Sequence, residues 1–183
     1  MFDRLFAIFF LIILSPLFLV IALLIFLEDG FPFYFQQKRI GSNYSFFMIN
    51  KFRTMKKNTP NVATHLLENP DQYVLKIGKI LRKYSLDELL NLVNIVKGEM
   101  VFVGPRPALY NQDDLMRMRI EAGVDKLKPG ITGWAQVNGR DLISQEVKVK
   151  FEKEYLENRS FLFNLKIIFK TFTYVLFSRG VQH

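Results

Sequence analysis

Asp87 and Glu88 are adjacent carboxylates in Ser85-Leu86-Asp87-Glu88, directly ahead of the apolar positions Leu89, Leu90, Val93 and Val96. Ordinary helix-start chemistry explains them in one way. Ser85 would be the N-cap, and Glu88, three residues on, would complete a capping box. Asp87 would then favour the positive end of the helix dipole. The same placement suits phosphoryl chemistry. An ionised Asp is a competent nucleophile for phosphorus and yields an acyl phosphate. A neighbouring Glu can hold Mg²⁺, which neutralises phosphate oxygens so that one anion can attack another.

Such chemistry needs fixed cations. The chain offers Lys51 and Arg53 in Lys51-Phe52-Arg53-Thr54-Met55, Arg82 just before the acidic pair, and Arg106 between Pro105 and Pro107. Arginine suits phosphate because its planar fork donates parallel hydrogen bonds. Each of these cations alone also reads as a solvated surface charge; the flanking prolines pre-set the backbone only at Arg106. Farther on, Trp134, Gln136, Asn138 and Arg140 lie in the glycine-rich segment 129–140. Amides and an aromatic ring there could read a base or a sugar, whereas Asn138-Gly139 could equally be a hairpin turn. His65 and His183 have no sequence neighbours that suggest metal or base duty.

The elements that must position these groups follow from periodicity. The aromatic-rich runs 33–37 and 44–52, separated by Gly41-Ser42-Asn43, predict a β-hairpin. Residues 56–71 are polar, with two prolines, and read as a loop. Helical spacing predicts one helix over 74–83 and a second over 85–97, stopped by Gly98. A short apolar run at 100–103 ends at Gly104-Pro105-Arg106-Pro107. Helices are predicted again over 111–122 and 146–158. The strongly apolar segment 161–177 reads as a buried helix or as an interfacial one with a basic side.

Residues 5–27 carry no charge. As one helix they would reach about 35 Å, enough for a bilayer core of roughly 30 Å. Proline in a helix interior removes one N–H and clashes with the carbonyl four residues back. Ser15-Pro16 therefore divides the run into halves of about 15 Å each. The physics favours a kinked span over a turn-back within one leaflet. A signal peptide fits less well, because the run is long and no small-residue cleavage site follows. Basic residues after the segment predict that the globular part is cytoplasmic.

The chain has 183 residues, a net charge of +8, no cysteine and 19 phenylalanines. That length suits one compact domain with an appendage. Phenylalanine and leucine together exceed what a soluble core of this size needs and predict lipid contact. A basic surface can face nucleic acid, phosphorylated small molecules or anionic lipid, but no nucleic-acid motif accompanies the charge. The missing cysteines exclude disulfides and thiolate metal sites.

Taken in order, the segments resemble the bacterial sugar transferase family, the monotopic phosphoglycosyl transferases. The resemblance runs nearly end to end. It is carried by Ser15-Pro16, Gln37-x-Arg39-x-Gly41, Lys51-Phe52-Arg53-Thr54-Met55, residues 81–89, Lys97-Gly98-Glu99-Met100, Val103-Gly104-Pro105-Arg106-Pro107 and residues 129–140. It implies an α+β fold, mostly helical, with a small β-hairpin and amphipathic interfacial helices. It also implies a re-entrant membrane helix over 1–28, broken at Ser15-Pro16, which reverses the physical preference for a span. Residues 29–183 would be a cytosolic catalytic domain at the inner-membrane interface, the minimal form without extra N-terminal domains.

By the same resemblance Asp87 is the nucleophile and Glu88 helps bind Mg²⁺. A UDP-sugar gives its sugar phosphate to Asp87 with release of UMP, and undecaprenyl phosphate then takes the sugar phosphate. Arg53, Arg82 and Arg106 would handle phosphates, beside Lys51 as a further cation read from the residues themselves; Gln136, Asn138 and Arg140 would have site roles. Anionic lipids are implied as contacts. A homodimer is compatible with the sequence but not required by it. The chain departs from the family pattern in three places. Leu90-Asn91 stands for the usual Pro-Gln, a change expected to affect helix packing more than chemistry. Tyr73 replaces a frequent Arg, and Glu152 a frequent Asp. A membrane-tethered binding protein and a phosphohydrolase using the same aspartate are the competing readings.

Overall fold

The computed structural model describes residues 2–60, 69–139 and 143–176. The apolar N-terminus forms two helices, α1 (Phe2–Ile13) and α2 (Ser15–Asp29). They are bent by 62° at the break. Pro16 lies in the first turn of α2, where its missing N–H and fixed φ are tolerated. The Ser15 hydroxyl donates to the carbonyl of Ile12 at 2.7 Å, supplying a partner that Pro16 cannot. Among the described residues no single helix is long and apolar enough to cross a membrane; α1 and α2 together would be.

Both ends of this bent pair are tied to the rest of the chain. At the start, Asp3 Oδ1 accepts from the Phe102 amide at 3.2 Å. The Arg4 guanidinium lies against Gly98, whose φ of +83° favours glycine. At the other end, Glu28 accepts from the amides of Lys76 (2.6 Å) and Ile77 (3.1 Å). These are the first donors of α3 (Lys76–Lys83), which have no partner within their own helix. Asp29 pairs with Arg53 and accepts from the Lys57 amide. Ala7, Ile21 and Ile25 are buried, whereas Phe2, Leu5, Ile12, Leu19 and Leu27 are exposed.

The expected hairpin forms from β1 (Tyr34–Ile40) and β2 (Phe46–Phe52), antiparallel with Tyr34 opposite Phe52. The acidic pair is not at the start of a helix running to Lys97. Ser85 is left-handed (φ +54°), makes no capping bond, and leads into a 3-10 turn over Leu86–Leu90. The α-helix, α4, begins only at Asn91 and runs to Lys97. The capping-box expectation therefore fails, since an N-cap residue needs an extended backbone that Ser85 does not adopt. Gly98 ends α4 as predicted.

Beyond α4 come β3 (Val101–Val103), β4 (Ala108–Leu109), α5 (Asp113–Glu121), β5 (Gly130–Thr132), α6 (Trp134–Val137), α7 (Gln145–Asn158) and α8 (Phe161–Leu176). The strand β4 adds to the free edge of β1, and β3 pairs in parallel with β5. Three-residue strands leave almost no period to read, so this parallel pair escaped the sequence. Asn138-Gly139 is not a hairpin turn either. It follows α6, and Asn138 Nδ2 donates to the carbonyl of Trp134 at 2.8 Å.

The architecture is thus mixed helix and small sheet, as expected. One apolar cluster joins Ala7 of α1 to Phe47 and Ile49 of β2 and to Leu92 and Ile95 of α4. A second joins Ile21 and Ile25 of α2 to Phe52, Leu75 and Leu81. A third, with Val103, Tyr155 and Ile167, seats α7 and α8 on β3.

Candidate active site

Glu88 is the centre of the charge cluster. Its Oε1 accepts from Lys51 Nζ at 2.7 Å and from Arg106 Nη2 at 3.3 Å. Lys51 comes from β2, Glu88 from the 3-10 turn, and Arg106 from the proline-flanked turn between β3 and β4. Three segments far apart in sequence therefore converge on one carboxylate. The Glu88 side chain is 13% exposed, so the pairs are shielded but open on one side.

Asp87 is half-buried beside it. Burial pushes its carboxyl above the usual carboxylate range; Lys51 and Arg82 oppose this, and Glu88 adds to it. Arg82, on the last turn of α3, is anchored by its Nε donating to Thr54 Oγ1 at 2.9 Å. Burial lowers its own affinity for a proton, and Asp87 partly restores it. The cations around these two carboxylates can offset the charge of a phosphoryl group bound beside them.

A cleft opens at this cluster, lined by Arg39, Ile49, Lys51, Glu88, Asn91, Met100, Arg106, Pro107, Gly130 and Ile131. Its lining carries three cations against one carboxylate. Asp87 and Arg82 flank the cleft without lining it. Among the described residues, no group of three His, Cys, Asp or Glu side chains is close enough to chelate an ion unaided. Mg²⁺ needs no such cage. One or two carboxylates with phosphate oxygens and water suffice, so Asp87 and Glu88 fit that donor chemistry.

Of the other sequence candidates, Arg53 is set apart. It is 7% exposed. Its guanidinium donates to Asp29 and to the carbonyls of Gly30 (2.6 Å), Pro32 (2.5 Å) and Met55 (3.3 Å). These bonds, with one more to the Asp29 carbonyl at 3.3 Å, use all five N–H donors. Arg53 fastens the end of α2 to β2 and has no donor left for phosphate. Gln136 and Asn138 do not line the cleft. Asn138 Oδ1 accepts from Lys170 Nζ at 3.3 Å. Gln136 has both amide atoms buried without a partner. Trp134 precedes both in sequence, with Lys166 and Lys170 of α8 over its ring at 5.3 and 4.7 Å. Arg140, His65 and His183 lie outside the described residues.

Sequence reasoning missed Arg39, which was visible only as part of a motif. From β1 it donates to Pro107 O at 3.0 Å and to Gln37 Oε1 at 2.6 Å. Burial, then the nearby Arg106, lowers its pKa to about 10. Asn91 is buried at the start of α4. Besides its place in α4, it belongs to the cleft lining. Glu152 likewise acquires a place. Buried with Arg119, it accepts from Arg119 Nε at 2.8 Å and Nη2 at 2.5 Å. The same Nη2 donates to the carbonyl of Arg106 at 2.9 Å, which steadies the turn that delivers Arg106.

Comparison with known proteins identifies the family. The family model described as bacterial sugar transferase matches residues 1–178. The exopolysaccharide production protein ExoY of Sinorhizobium fredii is 40% identical over 98% of this chain and 85% of its own length. The UDP-glucose:undecaprenyl-phosphate glucose-1-phosphate transferase of Escherichia coli is 39% identical over 88% of this chain, which spans 36% of that protein. A UDP-N-acetylgalactosamine-undecaprenyl-phosphate N-acetylgalactosaminephosphotransferase of Aeromonas hydrophila is 35% identical over 92% of the chain and 41% of its own length. With a family match over nearly the whole sequence, this chain belongs to the bacterial sugar transferases.

Proposed function

We propose that this chain transfers a sugar phosphate from a UDP-sugar to undecaprenyl phosphate, with Asp87 as the covalent carrier. The observation that carries the reading is the convergence of Lys51 and Arg106 on Glu88, next to a half-buried Asp87 balanced by Arg82. An ionised Asp87 oxygen attacks the phosphorus that bears the sugar. The bond from that phosphorus to the bridging oxygen breaks, and UMP leaves with the electron pair. An oxygen of undecaprenyl phosphate then attacks the same phosphorus, breaking the acyl phosphate and restoring the carboxylate. Lys51 and Arg106 would offset charge on the phosphoryl oxygens, and Arg82 would keep Asp87 ionised. Asp87 and Glu88 would hold Mg²⁺, which when bound neutralises further phosphate charge.

The membrane placement is part of the same proposal. Residues 1–28 enter one leaflet and return, and the remainder works at the cytoplasmic face of a bacterial inner membrane. Support comes from the anchoring of both ends of the α1–α2 pair on one globular body: Asp3 on Phe102, and Glu28 on Lys76 and Ile77. A spanning segment would need its ends on opposite sides. Helix α8 would lie in the interface. Its exposed Phe161, Leu162, Leu165, Ile168, Phe169 and Phe172 recur at helical spacing, with Lys166 and Lys170 off that face. Such a site reaches a cytosolic donor and a lipid acceptor together.

The test is UMP release by the purified chain from UDP-sugars, with and without undecaprenyl phosphate. Release that depends on the acceptor and disappears in Asp87→Asn is the expected result. Free sugar phosphate formed without acceptor indicates a hydrolase. Full function in Asp87→Asn indicates a binding protein.

A further inference from the structure

Two residues at the cleft each carry a buried, unpaired side-chain atom: Asn91 Oδ1 and the Nε–H of Arg39. Both residues line the cleft beside Glu88, Lys51 and Arg106. The contrast within α4 is informative. Asn94, 0% exposed, has its carboxamide fully used. Its Oδ1 accepts from Asn50 N at 3.1 Å and Nδ2 at 2.9 Å, and its Nδ2 donates to Met48 O and Glu99, both at 2.7 Å. Asn91, three residues earlier and 1% exposed, has a carboxamide oxygen with no donor. An unpaired buried amide is unfavourable, and such exceptions call for a reason. The cleft around Asn91 mixes the apolar Ile49, Met100 and Ile131 with the charged Arg39, Lys51, Glu88 and Arg106.

The Arg39 guanidinium shows the same pattern. Its two terminal nitrogens are held by Pro107 and Gln37, so its position is set by the protein. Its Nε–H is left over. Resting on the transferase reading, we propose that Asn91 and Arg39 form a donor-substrate subsite beside Glu88. Asn91 Oδ1 accepts from a sugar hydroxyl, and Arg39 Nε–H donates to an oxygen of the diphosphate. The chemistry selects these partners. A carboxamide oxygen needs a donor, which a sugar has and an ionised phosphate lacks; a guanidinium N–H needs an acceptor, which phosphate supplies.

The experiment uses the full chain in lipid nanodiscs with undecaprenyl phosphate. UMP release is followed for UDP-glucose, UDP-galactose and UDP-N-acetylgalactosamine, alongside thermal unfolding. In Asn91→Leu, KM for the preferred donor rises about tenfold while Tm stays level or increases, because an unpaired polar group is gone. In Arg39→Lys, which keeps the charge and loses Nε–H, KM rises by a similar factor and kcat falls less. A lower Tm with unchanged KM in either variant would make that residue structural and overturn its part. Should Asn91→Leu not fold, Asn91→Ser decides by the same KM reading. No turnover by the unsubstituted chain with any of these donors overturns the transferase reading and the subsite together. Turnover by that chain with unaltered KM in the variants overturns the subsite alone.

Discussion

Asp87 sits under opposing influences, and their balance has a sign. Burial raises its pKa above the ordinary 3.8, more than Lys51 and Arg82 lower it. The folded state therefore holds this proton to higher pH than the unfolded chain does. Stability falls as pH rises from 3.8 through the raised value, because ionisation is disfavoured only in the folded protein. Asp87→Asn should accordingly show a Tm at pH 7 equal to or above that of the parent, while turnover is lost. On the activity side, the acid limb of kcat/KM should lie above the usual carboxylate range, since the nucleophile must ionise. Arg53 presents the opposite case. Arg53→Met should lower stability by roughly 2 kcal/mol, through lost bonds to Asp29 and three carbonyl-bearing neighbours, measured by denaturant unfolding. Residual folded Arg53→Met should keep its KM for donor, which separates a fastening residue from a phosphate ligand.

Glycines at the level of elements explain how Arg106 is delivered. The segment Pro129-Gly130-Ile131-Thr132-Gly133 forms β5 and its exit, pressed against the Gly104 turn. A Cβ on Gly130 would lie 2.1 Å from Gly104 N and 2.5 Å from Thr132 O. One on Gly133 would lie 2.1 Å from Gly104 O. The glycine-rich character that suggested a ligand loop thus serves the approach of two backbones. Gly104 N donates to Thr132 O at 2.8 Å and Gly130 N to Pro105 O at 2.9 Å. Gly130→Ala should break this register, lower stability by about 1–3 kcal/mol and reduce turnover in parallel. A fall in turnover with unaltered stability would show that the contact is not what positions Arg106.

For the molecule as a whole, the main question is where the apolar surface goes. Helices α1 and α8 both pack on β3 and both leave large hydrophobics exposed. On the membrane placement proposed above, the α1–α2 pair enters the bilayer from one side and returns to it. Placing a unique cysteine by Phe2→Cys, in a chain with no other cysteine, tests this directly. A membrane-impermeant thiol reagent should label it in inverted vesicles and leave it unlabelled in intact spheroplasts. Labelling in the spheroplasts would establish a span.

What the sequence determined by itself was chemical and local. The hairpin, the helices around 76–83, 113–121, 145–158 and 161–176, the break at Ser15-Pro16 and the identity of the acidic pair were legible, because periodicity and backbone restriction act over a few residues. Tertiary structure decided which charges meet. Lys51 and Arg53 are two residues apart on one strand end, yet one turns to Glu88 and the other to Asp29. Ser85 was expected to cap a helix and instead adopts a left-handed backbone that starts a 3-10 turn. Arg39, Asn91 and the Arg119–Glu152 pair gain their roles from segments tens of residues away. Pairings of that kind depend on how elements pack, and the spacing of residues along the chain does not encode it.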